Sequence, residues 1–276
     1  LYLSTGDTSF ISSTIIDGDS TDCTIAIYGN IDSTCRVTGF TIQNGIGCVY
    51  GQGAGIYVES ASPRLDNLII KNNIGDTNGG GICLNGNSNS LIDKVVIKNN
   101  SADTGGGLYS FNSNPVITNS VIQNNHSNNG AGVFLELCSP NFENVSIIDN
   151  NAIYSGGGIY CGLTSYPLLN HVTISNNSAS FAGGILSTQN SQPMFSNSIL
   201  WNDSPEEIVS HPDSITIVYS NIEGGWQGAG NINQDPLFCM AEYGDYSLAE
   251  NSPCLESGED GVTMGTFGIG CTTINF

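Results

Sequence analysis

The feature that most constrains the fold is a repeat of about 26 residues. The last glycines of successive small-residue clusters are 26, 26, 25, 26 and 26 residues apart. These clusters are Gly53-Ala54-Gly55, Gly79-Gly80-Gly81, Gly105-Gly106-Gly107, Gly130-Ala131-Gly132, Gly156-Gly157-Gly158 and Ala182-Gly183-Gly184. With no helix-forming segment between them, the clusters indicate stacked turns of β-structure, each turn stabilised by its neighbours.

Two further markers keep the same period. An asparagine recurs at Asn44, Asn72, Asn99, Asn124, Asn150, Asn176 and Asn202. A proline recurs at Pro63, Pro115, Pro140, Pro167 and Pro193, and it is missing only from the coil around Ser90. Three markers in one register predict an all-β chain folded as a right-handed parallel β-helix, a solenoid of about eight coils with about 26 residues each.

Alternation within the repeat predicts which side chains face inward. Aliphatic residues precede the marker asparagines by two positions, at Ile42, Ile70, Ile97, Ile122, Ile148, Ile174 and Leu200, and others follow the glycines, at Ile56, Ile82, Leu108, Val133, Ile159 and Ile185. Polar residues lie beside the first set, at Gln43, Lys71, Lys98, Gln123, Asp149 and Ser175. We therefore expect buried aliphatic columns, polar outer columns, and a ladder of marker-asparagine amides at one bend.

The two ends differ from the repeat. The pattern dissolves after residue 216, which predicts a β-helix over residues 1–222 and an irregular C-terminal cap over residues 223–276. Leu1–Ile16 resembles a strand without an N-terminal cap. Because an open coil exposes unpaired backbone groups, we expect the chain to associate with further copies, as a filament rather than a closed dimer.

Composition excludes several classes of protein. The net charge of −20 argues against nucleic acid as a partner, and no apolar run approaches the roughly 20 residues of a membrane-spanning helix. The nine cysteines show no CxxC spacing, and at least one has no partner within the chain. The pairs Cys23–Cys35 and Cys239–Cys254 are the candidate disulfides, each as readily formed as not.

The glycine–aliphatic segments, such as Gly79-Gly80-Gly81-Ile82, and the Ile-x-Asn-Asn segments resemble the repeats of polymorphic outer membrane proteins. More broadly they resemble right-handed β-helix surface proteins of the pectin-lyase-like superfamily. The stretch containing Asp235-Pro236-Leu237-Phe238, Gly244-Asp245-Tyr246 and Ser252-Pro253-Cys254 is similar to the end of many secreted bacterial β-helix proteins. The resemblance implies a secreted or surface protein, and it leaves activity open because the fold carries many functions.

One group of charges suggests a catalytic alternative. Lys71 and Lys98 share an outward column on adjacent coils, and Asp66 and Asp93 share another. A polysaccharide lyase needs a basic residue with carboxylates that hold Ca²⁺, and two carboxylates roughly 5 Å apart also suit a retaining glycosidase. The alternative to a catalytic site is a solvated surface on which the basic and acidic columns neutralise one another. His126, His171 and His211 fall at three different registers and form no common column.

A second group is aromatic. Tyr57, Cys83, Tyr109, Phe134, Tyr160 and Leu186 follow the buried aliphatic residues by one position. Alternation predicts that the four rings, Tyr57, Tyr109, Phe134 and Tyr160, face outward, where they would stack on sugars or a partner. The alternative is a stack covered by the chain's own loops.

These observations favour a non-catalytic extracellular or cell-surface protein with a structural or adhesive role, partnered by its own copies or by a surface polysaccharide. A carbohydrate-active enzyme or a carbohydrate-binding module is the alternative. No resident metal or cofactor is predicted. Ca²⁺ is the one ion considered, because Asp17-Gly18-Asp19 with Asp22 resembles part of a calcium loop without its full spacing.

Overall fold

The computed structural model describes residues 5–48, 51–211 and 215–274. Its strands, in chain order, are Ile15–Asp17 (β1), Ile25–Tyr28 (β2), Arg36–Thr38 (β3), Thr41–Gln43 (β4), Ile56–Glu59 (β5), Arg64–Lys71 (β6), Ile82–Asn85 (β7), Leu91–Lys98 (β8), Ser101–Thr104 (β9), Leu108–Phe111 (β10), Val116–Gln123 (β11), His126–Asn129 (β12), Val133–Glu136 (β13), Asn141–Ile148 (β14), Asn151–Ser155 (β15), Ile159–Gly162 (β16), Leu168–Asn170 (β17), Thr173–Ser175 (β18), Ile185–Ser187 (β19), Met194–Ser196 (β20), Ile199–Trp201 (β21), Ile208–Ser210 (β22), Thr216–Val218 (β23), Asn221–Ile222 (β24), Phe238–Met240 (β25), Asp245–Ala249 (β26) and Ile269–Cys271 (β27). Short 3₁₀ helices cover Thr8–Ser13, Ala241–Tyr243 and Glu259–Gly261.

The strands form a parallel β-solenoid of about ten turns with about 26 residues per turn. Sheet A contains thirteen strands, on the path β1-β4-β6-β8-β11-β14-β17-β20-β23 with β3, β18, β21 and β24 beside it. Sheet B contains β2, β5, β7, β10, β13, β16, β19 and β22, and sheet C contains β9, β12 and β15. The predicted fold is confirmed. The turns exceed the predicted eight because the irregular turns at both ends lack the glycine and asparagine markers.

The interior columns are as predicted in all coils but one. The buried aliphatic residues form a continuous core from Ile27 to Ile222. In the fifth marker coil, however, Ile147 pairs with Ile122, and Ile148 pairs with Gln123. The register is therefore one residue earlier there, and Asp149 lies at the bend with a φ of 56° instead of on the strand.

The amide ladder lies one residue later than predicted. The marker residues Asn44, Asn72, Asn99, Asn124, Asn176 and Asn202 have positive φ values and form the bend itself. From Asn72 onward, the residue after each bend is buried and hydrogen-bonded coil to coil, in the order Asn73, Asn100, Asn125, Asn150, Asn177 and Asp203, where Asn150 follows the bend at Asp149. Of the predicted markers, only Asn150 belongs to this ladder. A left-handed first residue turns its own side chain outward and leaves the second amide inside.

The N-terminal region differs from the expected strand. Residues Thr8–Ser13 form a 3₁₀ helix, and the side chain of Ile11 is buried. The Thr41 hydroxyl donates to the Ile11 carbonyl at 2.8 Å, which joins this helix to the first coils. The segment 1–4 of the predicted strand lies outside the described residues.

The C-terminal region divides into two parts. Residues 226–232 add a partial turn, in which the Ile222 amide donates to the Ile232 carbonyl at 3.0 Å. Strands β25, β26 and β27 then form sheet D, which packs outside sheet A. The Tyr246 hydroxyl donates to Asp149 at 2.9 Å, and the Thr266 hydroxyl donates to the Val145 carbonyl at 2.9 Å. The boundary at residue 222 between helix and cap stays a prediction. Within the described residues, no helix is long and apolar enough to span a membrane.

Candidate functional site

The predicted charge cluster is brought together only in part. Asp66 pairs in register with Asp93, and Lys71 pairs with Lys98, on strands β6 and β8. The two lysines lie five residues further along their strands than the carboxylates. A left-handed residue separates the two groups on each strand, Asn67 on β6 and Lys94 on β8. The carboxylates and the lysines therefore form two outward columns and do not converge on one point.

Asp66 is fully buried beneath two arginines. The Arg36 Nε and a terminal guanidinium nitrogen donate to its two oxygens, both at 2.6 Å, and the Arg64 Nε donates at 2.9 Å. Thr38 and Asn67 donate as well, at 2.9 and 2.7 Å. Burial alone would raise the pKa of Asp66, but the hydrogen bonds from Arg36, Asn67, Thr38 and Arg64 outweigh it and hold this pKa well below its usual range. A carboxylate held in this way is a poor proton acceptor, so its role is structural.

This arrangement predicts a specific acid sensitivity. Because the folded-state pKa of Asp66 is lowered, its stabilisation is present above the unfolded pKa of about 3.9 and is lost as the pH falls below that value. We expect Asp66→Asn to lower the free energy of unfolding at pH 7 by about 2 kcal/mol, since it removes charge-assisted hydrogen bonds while the half-exposed Arg36 and Arg64 can turn to water. Urea unfolding at pH 7 and pH 3 measures this, with the exposed Glu59→Gln as control. An Asp66→Asn variant as acid-sensitive as the wild type would contradict the assignment.

Three of the four rings predicted to face outward are buried and Tyr160 is partly buried, so the column is the covered stack and not an exposed contact surface. Tyr57 is 3% exposed, and Tyr109 and Phe134 are each 7% exposed. The rings of Phe134 and Tyr160 stack at 4.5 Å between centroids, and those of Tyr109 and Phe134 lie at 5.5 Å. The column does face away from the interior core and forms its own cluster. The reason for its burial is the glycine corner: a Cβ on Gly105 would lie 2.8 Å from the Tyr109 Cβ, so the backbone there covers the column.

Both predicted disulfide pairings are wrong. In each pair one cysteine, Cys23 or Cys239, does form a disulfide, but with a different partner. Cys23 bonds to Cys48, 25 residues away, and Cys239 bonds to Cys271. Cys35 and Cys254 are free, as are Cys83, Cys138 and Cys161. The pair Cys23 and Cys48 is separated by one coil, which places the two residues side by side in a solenoid. That spacing was the available signal. Cys254 lies instead in the apolar cluster between sheets A and D.

In the segment that resembles part of a calcium loop, the Asp17 carboxylate accepts hydrogen bonds from neighbouring residues. Asp17 accepts from Gln43 at 2.8 Å, from Asn44 at 2.9 Å and from the Asp19 amide at 3.0 Å. Asp22 lies beside Cys23 and Cys48, whose sulfurs are joined in the disulfide. The geometry is that of a turn that ties two coils together.

A group of carboxylates at the C-terminal end of the ladder was not anticipated. A cavity of about 520 Å³ is lined there by Asp203, Glu206, Glu207, Glu223 and Trp226, among others. Burial raises the pKa of Asp203, and burial together with the charge of Asp203 raises that of Glu207. The sequence feature that could have revealed this group is Asp203, which stands where the other coils have a ladder asparagine. It is recognisable only when the ladder is known to pass through residue 203.

An exposed apolar corner between sheets B and A is the second unanticipated feature. Leu137 and Leu163 are 45% and 36% exposed, and Tyr166, Leu168 and Met194 are exposed nearby. Both leucines have left-handed backbone conformations, with φ values of 54° and 49°. We call these five residues the apolar corner.

The stacked parallel sheets, the continuous interior core and the amide ladder define a β-solenoid. The chain belongs to the right-handed β-helix family, because the family described as "Right handed beta helix region" matches residues 1–166. A search of curated proteins found no match, and a search of solved structures found none either.

Proposed function

We propose that this chain is a non-catalytic extracellular or cell-surface β-helix that serves as a structural and adhesive module by associating side by side with further copies of itself. The apolar corner carries the proposal. The resemblance to polymorphic outer membrane proteins and to the pectin-lyase-like superfamily agrees with such a role.

Leu137 and Leu163 lower the stability of the isolated chain, through their backbone conformation and their exposed apolar surface. Their column contains a left-handed residue in six successive coils, namely Ser60, Gly86, Asn112, Leu137, Leu163 and Gln189. A left-handed conformation costs most residues roughly 1–2 kcal/mol, and glycine and asparagine tolerate it better. Leu137 and Leu163 accept this cost and also leave apolar surface in water. The exposed part of these side chains adds nothing to folding, whereas a contact with a partner would bury it.

The chemistry of the corner fits a second copy better than a polysaccharide. Four of its five side chains, Leu137, Leu163, Leu168 and Met194, are not aromatic, and the single ring of Tyr166 offers no row of rings on which successive sugars could stack. The distribution of charge supports association between copies. All five basic residues lie between Arg36 and Lys98, and the rest of the chain carries none. The same stretch also holds Glu59, Asp66, Asp76 and Asp93 and is nearly neutral, so a staggered neighbour would place it against the acidic coils of the other copy with little repulsion.

Two further observations support the proposed location and the absence of catalysis. The disulfides Cys23–Cys48 and Cys239–Cys271 agree with an oxidising compartment outside the cytosol. Asp66 is held by two arginines, and this supports a structural role for the cluster that suggested a lyase.

The double variant Leu137→Asn/Leu163→Asn tests the proposal sharply, because Asn112 occupies the same column. We expect the variant to gain about 1 kcal/mol or more in the free energy of unfolding, since asparagine relieves the left-handed strain. We also expect it to lose self-association, measured by light scattering across protein concentration and salt. Ile74→Asn is the control, because Ile74 is 59% exposed but lies outside the corner. A wild-type chain that stays monomeric, or association that survives the double variant, would refute the proposed contact.

A further inference from the structure

A smaller cavity lies between sheet A and sheet D, with a volume of about 230 Å³. The lining residues that matter for its chemistry are Asn176, Trp201, Asn202, Asp235, Phe238 and Tyr246. Sites for drug-sized molecules usually measure about 300–1,000 Å³, so this cavity has room for one small ring rather than a long chain.

Aromatic rings form two walls of this cavity. Trp201 ends an outer column of sheet A that contains Gln43, Lys71, Lys98 and Gln123 in earlier coils, and its ring is partly exposed. Phe238 and Tyr246 stand opposite on sheet D and meet edge to face, with centroids 5.3 Å apart. Tyr246 is 2% exposed, whereas Phe238 is partly exposed. The cavity therefore presents open ring surface on which the apolar face of a ligand can pack.

Three exposed polar side chains line the rest of the cavity. The Asn202 Nδ2 donates to the Asn176 Oδ1 at 3.1 Å, and the Asp235 Oδ1 accepts from the Leu237 amide at 2.9 Å. Within the described residues, no hydrogen bond reaches the Asn202 Oδ1, the Asp235 Oδ2 or the Trp201 Nε1. Acceptors and a donor are thus available beside the rings.

The segment that carries Asp235 and Phe238 is held in place by the solenoid. The Asn221 Nδ2 donates to the Gln234 carbonyl at 2.7 Å, and the Gln234 amide donates back to the Asn221 Oδ1 at 3.1 Å. The Ala249 amide donates to the Leu237 carbonyl at 2.9 Å. A ligand would therefore meet preformed walls and cost little in ordering them.

We propose that this cavity binds one neutral hexopyranose ring of a glycan, packed on Trp201 and hydrogen-bonded to Asn202 and Asp235. A pyranose combines C–H faces that pack on aromatic rings with hydroxyl groups that both donate and accept. A purely apolar ligand would leave the polar groups without partners, and an anion would face the Asp235 carboxylate. The site shares no residue with the apolar corner, so it adds sugar binding to the proposed self-association.

The test uses the full chain, with the methyl glycosides of glucose, galactose, mannose and N-acetylglucosamine as probes. Trp226→Phe leaves Trp201 as the only tryptophan, so its fluorescence reports on the cavity. We expect at least one probe to change this fluorescence saturably, with a Kd in the millimolar range that suits a ligand of this size. Added salt should not weaken the response, because the probes are neutral. Saturation-transfer NMR on the wild type should detect binding of the same probe.

Two substitutions change the polar side chains while preserving the backbone. Asn202 has a φ of 63°, so Asn202→Gly keeps the left-handed bend and should weaken binding about fivefold. Asp235→Asn keeps an oxygen for the Leu237 amide and should weaken binding by a similar factor. The matched control is Asn99→Gly, since Asn99 is an exposed bend residue with a φ of 54° outside the cavity. We expect it to bind as the wild type does.

Three results would overturn the proposal. The first is no response to any of the four probes in either measurement. The second is sugar binding that survives both Trp201→Ala and Asn202→Gly, since the sugar would then lie elsewhere. The third is a salt-sensitive response to choline or lysine in place of the sugars, which would identify a cation site. The double variant Leu137→Asn/Leu163→Asn should keep the sugar response, so this test is independent of the test of self-association.

Discussion

Asn125→Ala in the middle of the ladder is expected to destabilise the chain by about 4 kcal/mol or more. The Asn125 Oδ1 accepts the amide and the Nδ2 of Asn100 at 3.0 and 3.1 Å. Its Nδ2 donates to the Ile97 carbonyl and to Asn150, both at 3.0 Å. The side chain is 1% exposed, so alanine would leave several buried groups without partners. Each such group costs about 1–3 kcal/mol.

The residue beside it gives the matched control. Asn124 is the exposed bend residue with a φ of 53°. Asn124→Gly removes its amide but keeps the left-handed bend accessible, so we expect a change within about 0.5 kcal/mol. Urea unfolding of both variants, followed by circular dichroism, measures the difference. If Asn124→Gly were as destabilising as Asn125→Ala, the assignment of the inner and outer amides would be wrong.

The same pair of asparagines shows how far the sequence could lead. The period of the repeat, the glycine corners and the aliphatic columns are visible because each recurs at one position. The sequence also shows Asn-Asn pairs, such as Asn72-Asn73 and Asn99-Asn100, whose two members are chemically identical. Which member faces inward depends on the left-handed backbone of the first, and sequence spacing does not specify that conformation.

Burial outside the core could not be read from alternation. Period-2 patterning tells which face of a strand a side chain occupies, but not whether another part of the chain covers that face. Tyr109 faces away from the core and is buried by the glycine corner, and Ile148 is 2% exposed on the outer side of the sheet that bears β25–β27. The contact between Tyr246 and Asp149 joins residues 97 positions apart. Such contacts depend on how the C-terminal segment packs against sheet A, and no local sequence pattern specifies that packing.

The candidate sites were hidden for a related reason. Asp203 is unusual only once the ladder is known to pass through residue 203, and Leu137 only once its column is known to be left-handed. A typical asparagine or glycine at either position would attract no attention. Departures from the repeat mark both sites, so the register had to be correct before the departures could be recognised.

Ile122→Ala tests the aliphatic column in the same coil as Asn125. Ile122 is fully buried and pairs in register with Ile97 and Ile147 on the neighbouring coils. We expect a loss of about 2–5 kcal/mol in the free energy of unfolding, because truncation removes apolar contacts and leaves a cavity that stacked coils cannot readily close.

Gln123→Ala is the control one residue further along the strand. Gln123 lies in the outer column and is partly exposed, so we expect a change below about 0.5 kcal/mol. Urea melts of the two variants, compared with the wild type, separate the faces of β11. Equal destabilisation by the two changes would mean that the inner and outer faces are not distinct. A large effect of Ile122→Ala alone would show that β11 stabilises the solenoid through its inner face at this position, because Gln123 has no buried contact to lose.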